Sequence, residues 1–253
     1  MTAVGNGRRF ADRPVAAGGT PAADWIEWLR DFPEFAPSGC PALTVVAPHP
    51  DDETLGFGAT ASAIRAGGAP VRVITVTDGG AAHPTLPDRD WPALERRRRE
   101  ETRRAARQLG LDEPTFLGLP DGGVAAAEAE LTARLTDILA AGPRGAWCAA
   151  TWRGDGHPDH EAVGRAAAAA CARTGARLLE FPVWTWHWAR PGDPAVPWHA
   201  LRRCPIDDVL AQRKREAVAS FASQIDPPAP GADPVLPSFV LRRLEAVGEV
   251  VFA

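Results

Sequence analysis

The chain has 253 residues, a formal net charge of −4 and a pI near 5.9. That length suits one sizeable core, and no long polar linker divides it, so a single domain is expected. The acidic balance gives no global basic field for nucleic acid, and no run of eighteen apolar residues offers a membrane span, so neither is expected as a partner. Cys40, Cys148, Cys171 and Cys204 are scattered without ligand spacing, and the first ten residues lack an apolar leader, which suits reduced thiols in a cytoplasmic protein.

In chain order, residues 1–20 read as a flexible segment rich in Gly, Pro and small residues, and Trp25, Ile26 and Leu29 recur at helical spacing within 22–32, predicting a helix that docks on the core. Residues 1–40 therefore form an N-terminal extension, and 41–253 the main domain. Short apolar runs at 43–47, 71–76, 115–117, 146–150 and 177–183 read as buried strands, and helical patterns fill 54–66, 91–109, 128–141 and 159–173. Arginines and glutamates interleave over 96–104, which predicts a solvated helix face, with binding of an acidic substrate group as the alternative. Beyond residue 201 a strand, a helix over 209–221, a Pro-rich loop over 226–237 and a last strand over 249–252 are expected. Alternating strands and helices predict an α/β, Rossmann-like three-layer sandwich with a mostly parallel sheet. No G-x-G-x-x-G opens the first helix, so a dinucleotide cofactor is not expected.

Two polar clusters interrupt this pattern, each directly after a strand and before a helix. The first is Pro48-His49-Pro50-Asp51-Asp52-Glu53, and the second is Gly156-His157-Pro158-Asp159-His160-Glu161. Spaced three apart across a tight turn, His49 and Asp52 can bring an imidazole nitrogen and a carboxylate oxygen to about 2.0–2.2 Å from one zinc. His160 is the candidate third ligand, leaving a fourth position for a water of pKa about 7. Imidazole and carboxylate donors suit iron(II) as well as zinc. Asp159, between two histidines, can fix a ring tautomer beyond the ligands or cap its helix. Glu53 and Thr54 stand where capping and the helix dipole explain them without chemistry. Trp184, Trp186 and Trp188 alternate after the fifth strand, which puts three indoles on one strand face, either as a core stripe or as a platform for a sugar ring.

The paired clusters, with Phe116-Leu117-Gly118-Leu119-Pro120-Asp121-Gly122 and the stretch from Gln212-Arg213-Lys214 to Ser223-Gln224, make residues 40–252 resemble the LmbE/PIG-L family of zinc-dependent de-N-acetylases. The resemblance implies His49, Asp52 and His160 as zinc ligands, Asp51 as general base, His157 facing the developing oxyanion, and Asp121 near substrate hydroxyls. It also implies the substrate, a small-molecule N-acetylglucosamine-type sugar or glycoconjugate. The expected chemistry is amide hydrolysis in which Asp51 takes the proton of the attacking water, a protonated His157 and zinc share the oxyanion charge, and Asp51 or His157 protonates the leaving amine. With no tyrosine in the chain, no tyrosine hydroxyl can assist the oxyanion. The alternatives are a general amidase for other small-molecule amides such as thiol conjugates, and a non-catalytic sugar-binding protein.

Overall fold

The structure, a computed structural model, describes residues 6–83, 86–229 and 231–253. Its elements are α1 (Gly7–Ala11), α2 (Ala22–Leu29), β1 (Leu43–Ala47), α3 (Asp52–Ala66), β2 (Val71–Thr77), α4 (Trp91–Gln108), β3 (Thr115–Leu119), α5 (Glu128–Ala140), β4 (Trp147–Thr151), α6 (Pro158–Thr174), β5 (Arg177–Phe181), α7 (Thr185–Trp188), β6 (Leu201–Cys204), α8 (Asp208–Val218), α9 (Ala222–Ile225), α10 (Ser238–Val247) and β7 (Glu249–Phe252). One seven-stranded sheet runs in the order β3-β2-β1-β4-β5-β7-β6. Strands β1 to β5 are parallel, and β7 pairs antiparallel with β5 and β6.

Both sheet faces are covered, which is why the central strands read as continuous apolar runs. Side chains alternate between two cores: Val45 and Val73 pack with Trp25, Phe57 and Leu109, whereas Val46 and Ile74 pack with Leu131, Leu135 and Val163. Helices α2, α3, α4, α8 and α10 thus lie on one face and α5 and α6 on the other, giving the expected Rossmann-like three-layer sandwich. Helix α6 starts with Pro158 in its first turn and ends at Gly175 in the left-handed region, the residues each end favours. It crosses close under β4, because a Cβ on Gly164 would stand 2.5 Å from the Thr151 carbonyl oxygen.

Four expectations change. Residues 6–20, expected to be flexible, form α1 and a 3-10 turn over Val15–Ala17 that hydrogen-bond to the body of the protein, while residues 1–5 lie outside the described residues. Of the docking stripe on α2, Trp25 and Leu29 are buried, but Ile26 is 50% exposed because, at about 100° per residue, it points to one side of the sector those two share. The fifth strand stops at Phe181 rather than at residue 183, since the backbone N–H groups of Val183, Trp184 and Thr185 turn away from the sheet to the Asp155 carboxylate. The next residues form the single helical turn α7, so the three indoles share no strand face. Helix α10 fills residues to which the sequence pattern assigns no element, between the Pro-rich loop and β7; residue 230 of that loop lies outside the described residues. Among the described residues, no helix is long and apolar enough to cross a membrane.

Strand β7 opens with a buried acid that ties three elements together. The Glu249 carboxylate accepts the N–H groups of Ala59 and Thr60 on α3, each at 2.8 Å, and the ammonium of Lys214 on α8, the single lysine of the chain, at 2.7 Å. Glu249→Ala would take from that cation its only carboxylate, leaving it the Leu55 carbonyl alone, and from the two amides their side-chain acceptor, and should lower stability by about 3–5 kcal/mol in urea unfolding.

Candidate metal and catalytic site

The site forms where the sheet's connections change direction. Strand β1 has β2 on one side and β4 on the other, and ligands of α/β sheets bind outside the carboxyl ends of strands at such a switch point. His49, Asp51 and Asp52 follow β1, and Asp155 to His160 follow β4. The two clusters, a hundred residues apart in sequence, therefore meet.

At their meeting point the Asp52 Oδ2 atom lies 3.1 Å from His49 Nδ1 and 3.2 Å from His160 Nε2. Donor atoms around one tetrahedral zinc stand about 3.3 Å apart, given bonds of about 2.0–2.1 Å. His160 Nε2 is buried and has no hydrogen-bond partner, although its other nitrogen is held by Asp155 at 2.8 Å. A buried, oriented and unpartnered imidazole nitrogen beside a carboxylate is the arrangement that a metal completes. The donor set thus fits a divalent ion. Atoms of His49, His157 and His160 also lie within 4.8 Å of one another, as do those of His49, Asp121 and Asp159.

Around this trio His49 Nε2 faces Asp121 Oδ1 at 3.1 Å and Asp159 Oδ2 at 3.2 Å. Asp159 also accepts the N–H groups of Gly122 and Val124, and Asp121 that of Ala81. Asp51 has φ 125, rare for any residue but glycine, and Arg98 Nη2 donates to its Oδ2 at 3.2 Å and to the Pro50 carbonyl at 2.7 Å. His157 caps α6: its Nδ1 accepts the Asp159 N–H at 3.2 Å. In the neutral ring the proton then sits on Nε2.

Electrostatics separate these groups. Burial favours neutral imidazoles, yet Asp121, Asp159 and Asp52 hold His49 well above its ordinary pKa, and Asp52 and Asp155 lift His160 to about 9. Asp52, despite burial, is held far below the carboxylate range by His160 and His49. Protons on two histidines here compensate a cluster of buried carboxylates, a charge that a divalent cation can supply instead. Burial pushes Asp51 up to about 8, only partly offset by Arg98. His157 falls to about 3 through burial and then through His160 and His49, so the protonated His157 expected from sequence is replaced by a neutral ring.

A cavity of about 210 Å³ opens onto His49, Asp51, Asp52, Asp121, His157 and Trp184. A larger cavity, about 550 Å³, lies between α8, α10 and β7, away from this cluster. Trp186, a candidate sugar contact, is 2% exposed, packs edge-on against Trp25 and is absent from the cavity wall, because helix α7 turns it into the core. Sequence reading gives no individual role to Asp155, Arg98 or Gln224, although Gln224 closes a stretch that carries the resemblance. Asp155 stands two residues before His157, but its burial is not readable from local pattern. Arg98 hides among four consecutive arginines, yet Arg98, Glu101, Thr102, Ala105 and Ala106 form the inward stripe of α4, so 96–104 is not wholly a solvated face. Gln224, wholly buried in the cavity wall, is held by Ser223 Oγ, itself bound to Glu101.

The sequence profile of the family described as GlcNAc-PI de-N-acetylase, PIG-L, matches residues 44–171, a stretch that contains both clusters. The chain belongs to the PIG-L family. It is 34% identical over 168 residues to the 1D-myo-inositol 2-acetamido-2-deoxy-alpha-D-glucopyranoside deacetylase of Mycobacterium sp. (strain KMS), covering 57% of this chain and 54% of that one. To the enzyme of the same name from Mycobacterium avium (strain 104) it is 41% identical over 86 residues, 31% of this chain and 28% of that one. The chain thus spans about half or less of the length of these relatives. The conserved protein TT1542 from Thermus thermophilus superposes with a TM-score of 0.52 at 30% identity, over 72% of this chain and 79% of that one.

In this PIG-L chain the second cluster rests on Asp155. Its carboxylate accepts five hydrogen bonds, from Val183 N, Trp184 N, Thr185 N, Thr185 Oγ1 and His160 Nδ1. Asp155→Ala should leave several buried donors unpaired and cost at least about 1–3 kcal/mol, read from denaturant midpoints of the metal-free protein.

Proposed function

We propose that the chain is a zinc-dependent de-N-acetylase that hydrolyses the acetamide of an N-acetylglucosamine-type sugar or small-molecule glycoconjugate. The observation that carries this reading is the convergence of His49, Asp52 and His160 on one point, with Asp51 and His157 beside it on the cavity wall. The PIG-L membership and the deacetylase names of the relatives support the reaction and the sugar.

His49, Asp52 and His160 would hold the ion, Asp155 orienting His160 and Asp159 orienting His49. Zinc, when bound, supplies Lewis acidity toward the amide carbonyl and lowers the pKa of water to about 7. Asp51 is the base: it belongs to the cavity, lies next to a ligand without being one, and is lifted by burial toward neutral pH, where a carboxyl can both take and return a proton. The same group delivers that proton to the leaving amine. His157 serves as a neutral donor, its Nε2–H aimed by the capping bond at Nδ1, so it stabilises the developing oxyanion by hydrogen bonding rather than by charge. Asp121 and Trp184 both line the cavity, which supports reading Asp121 as acceptor of a sugar hydroxyl and Trp184 as the border of the ring. A cavity of about 210 Å³ is below the usual range of about 300–1,000 Å³ for drug-sized ligands, so it takes the reacting amide and one ring and leaves the remainder of a conjugate at the mouth.

Acetate release from N-acetylglucosamine and its glycosides tests the reading. Zinc-loaded protein should release acetate, a chelator should abolish release, and added zinc should restore it. Asp51→Asn should lower kcat about 10²–10⁴-fold with zinc still bound. His157→Ala should lower kcat about 10²–10³-fold with zinc content unchanged. No acetate from any sugar despite one bound zinc would overturn the sugar assignment, and would favour other small-molecule amides such as thiol conjugates.

A further inference from the structure

The family match begins at residue 44, yet the segment over 6–20 reaches the loop that carries His157. The Asn6 backbone N–H donates to Glu161 Oε1 at 2.7 Å, and its side-chain amide donates to the Gly154 carbonyl at 2.8 Å. Asn6 therefore bridges the two ends of the turn from 154 to 161. Glu161 Oε1 also accepts the Gly156 N–H, so one carboxylate oxygen joins this segment to the residue preceding His157.

Phe10, one helical turn on, fills the space behind the catalytic wall. Its ring lies 6.2 Å from that of His157, 5.1 Å from that of Trp184 and 6.1 Å from that of His187. The approach is close enough to dictate sequence in the turn: Gly156 has φ +95, and a Cβ there would stand 2.9 Å from the Phe10 Cβ and 2.8 Å from Trp188 Nε1. The segment is fastened on both sides of Phe10 as well, by Arg9 to Asp193 at 2.9 Å and by His187 Nε2 to the Arg13 carbonyl at 3.0 Å.

We infer that Phe10, seated by Asn6, is a positioning residue for His157: the N-terminal segment is a strap that fixes the ring of His157. Phe10 itself is not on the cavity wall, so it acts through His157, which is. The His157 Nδ1 bond to Asp159 sets the ring's tautomer, whereas contact with Phe10 limits its rotation and the drift of the turn. The inference rests on the reading of His157 as the donor to the substrate carbonyl.

A double-mutant cycle in the full chain separates positioning from general support of the fold. Phe10→Ala should lower kcat for acetate release about tenfold, the scale expected when a catalytic donor drifts. KM should stay within about twofold and zinc content should be unchanged. Phe10→Leu, which refills the space, should recover most of the loss, and in a His157→Ala background Phe10→Ala should cost nothing further. Equal losses in the two backgrounds would overturn the inference. If the unaltered protein releases no acetate, the activity reading has failed rather than the strap, and backbone amide exchange decides. Phe10→Ala and Asn6→Ala should each speed exchange across 153–161 relative to the rest of the chain, and unchanged exchange there would overturn the inference.

Discussion

The Asp155 carboxylate is the group on which the rest of the site depends. It is wholly buried, and both oxygens are fully engaged: Oδ1 takes the N–H groups of Val183 and Thr185 and the Thr185 hydroxyl, and Oδ2 takes Trp184 N–H and His160 Nδ1. By capturing three successive backbone amides it stops β5, converts the tryptophan-rich stretch from strand into a helical turn, and brings Trp184 to the cavity. The fourth element it holds is His160, whose free nitrogen is thereby aimed at Asp52. One desolvated anion thus sets both a chain direction and a ring orientation, because a buried carboxylate left without donors is far more costly than the turn it imposes.

Around it the site is a problem of charge balance. Asp52, Asp121, Asp155 and Asp159 converge on two imidazoles in a largely desolvated pocket, and in the metal-free state those imidazoles retain protons to compensate. Asp51 escapes the same pattern because burial opposes its ionisation, as do its neighbours Asp52 and Glu53, and the guanidinium of Arg98 only partly offsets them. Adjacent aspartates consequently sit at opposite ends of the carboxylate range, one suited to hold a cation and the other to exchange a proton. The φ of 125 at Asp51 belongs to the same arrangement, since that backbone twist turns two successive carboxylates in different directions.

The body of the protein serves these loops by rigidity. Strands β1 and β4 are central and buried on both faces, so their carboxyl ends are held by two cores. Glu249 and Lys214 fix α3, the helix that opens at Asp52, to the far end of the chain. The second ring of support comes from the N-terminal segment, which closes over the β4 loop through Asn6 and Phe10.

Alternating apolar runs and helical periods were enough to read β1 to β4 and α3 to α6 in the sequence, since burial on both faces of a parallel sheet leaves a continuous local signal. The histidine and aspartate clusters were legible for a related reason: their composition is costly anywhere but at a charged site, and each follows a strand. What the sequence could not carry was any outcome decided by a distant donor. Whether residues 183–188 extend a strand depended on Asp155, whether Arg98 faces water or Asp51 depended on which stripe of α4 meets the sheet, and whether His157 is charged depended on its own burial and then on two other imidazoles. Local pattern determined the elements and the candidate ligands, whereas tertiary packing decided orientation and protonation, because hydrogen bonds and Coulomb interactions act across space without regard to separation along the chain.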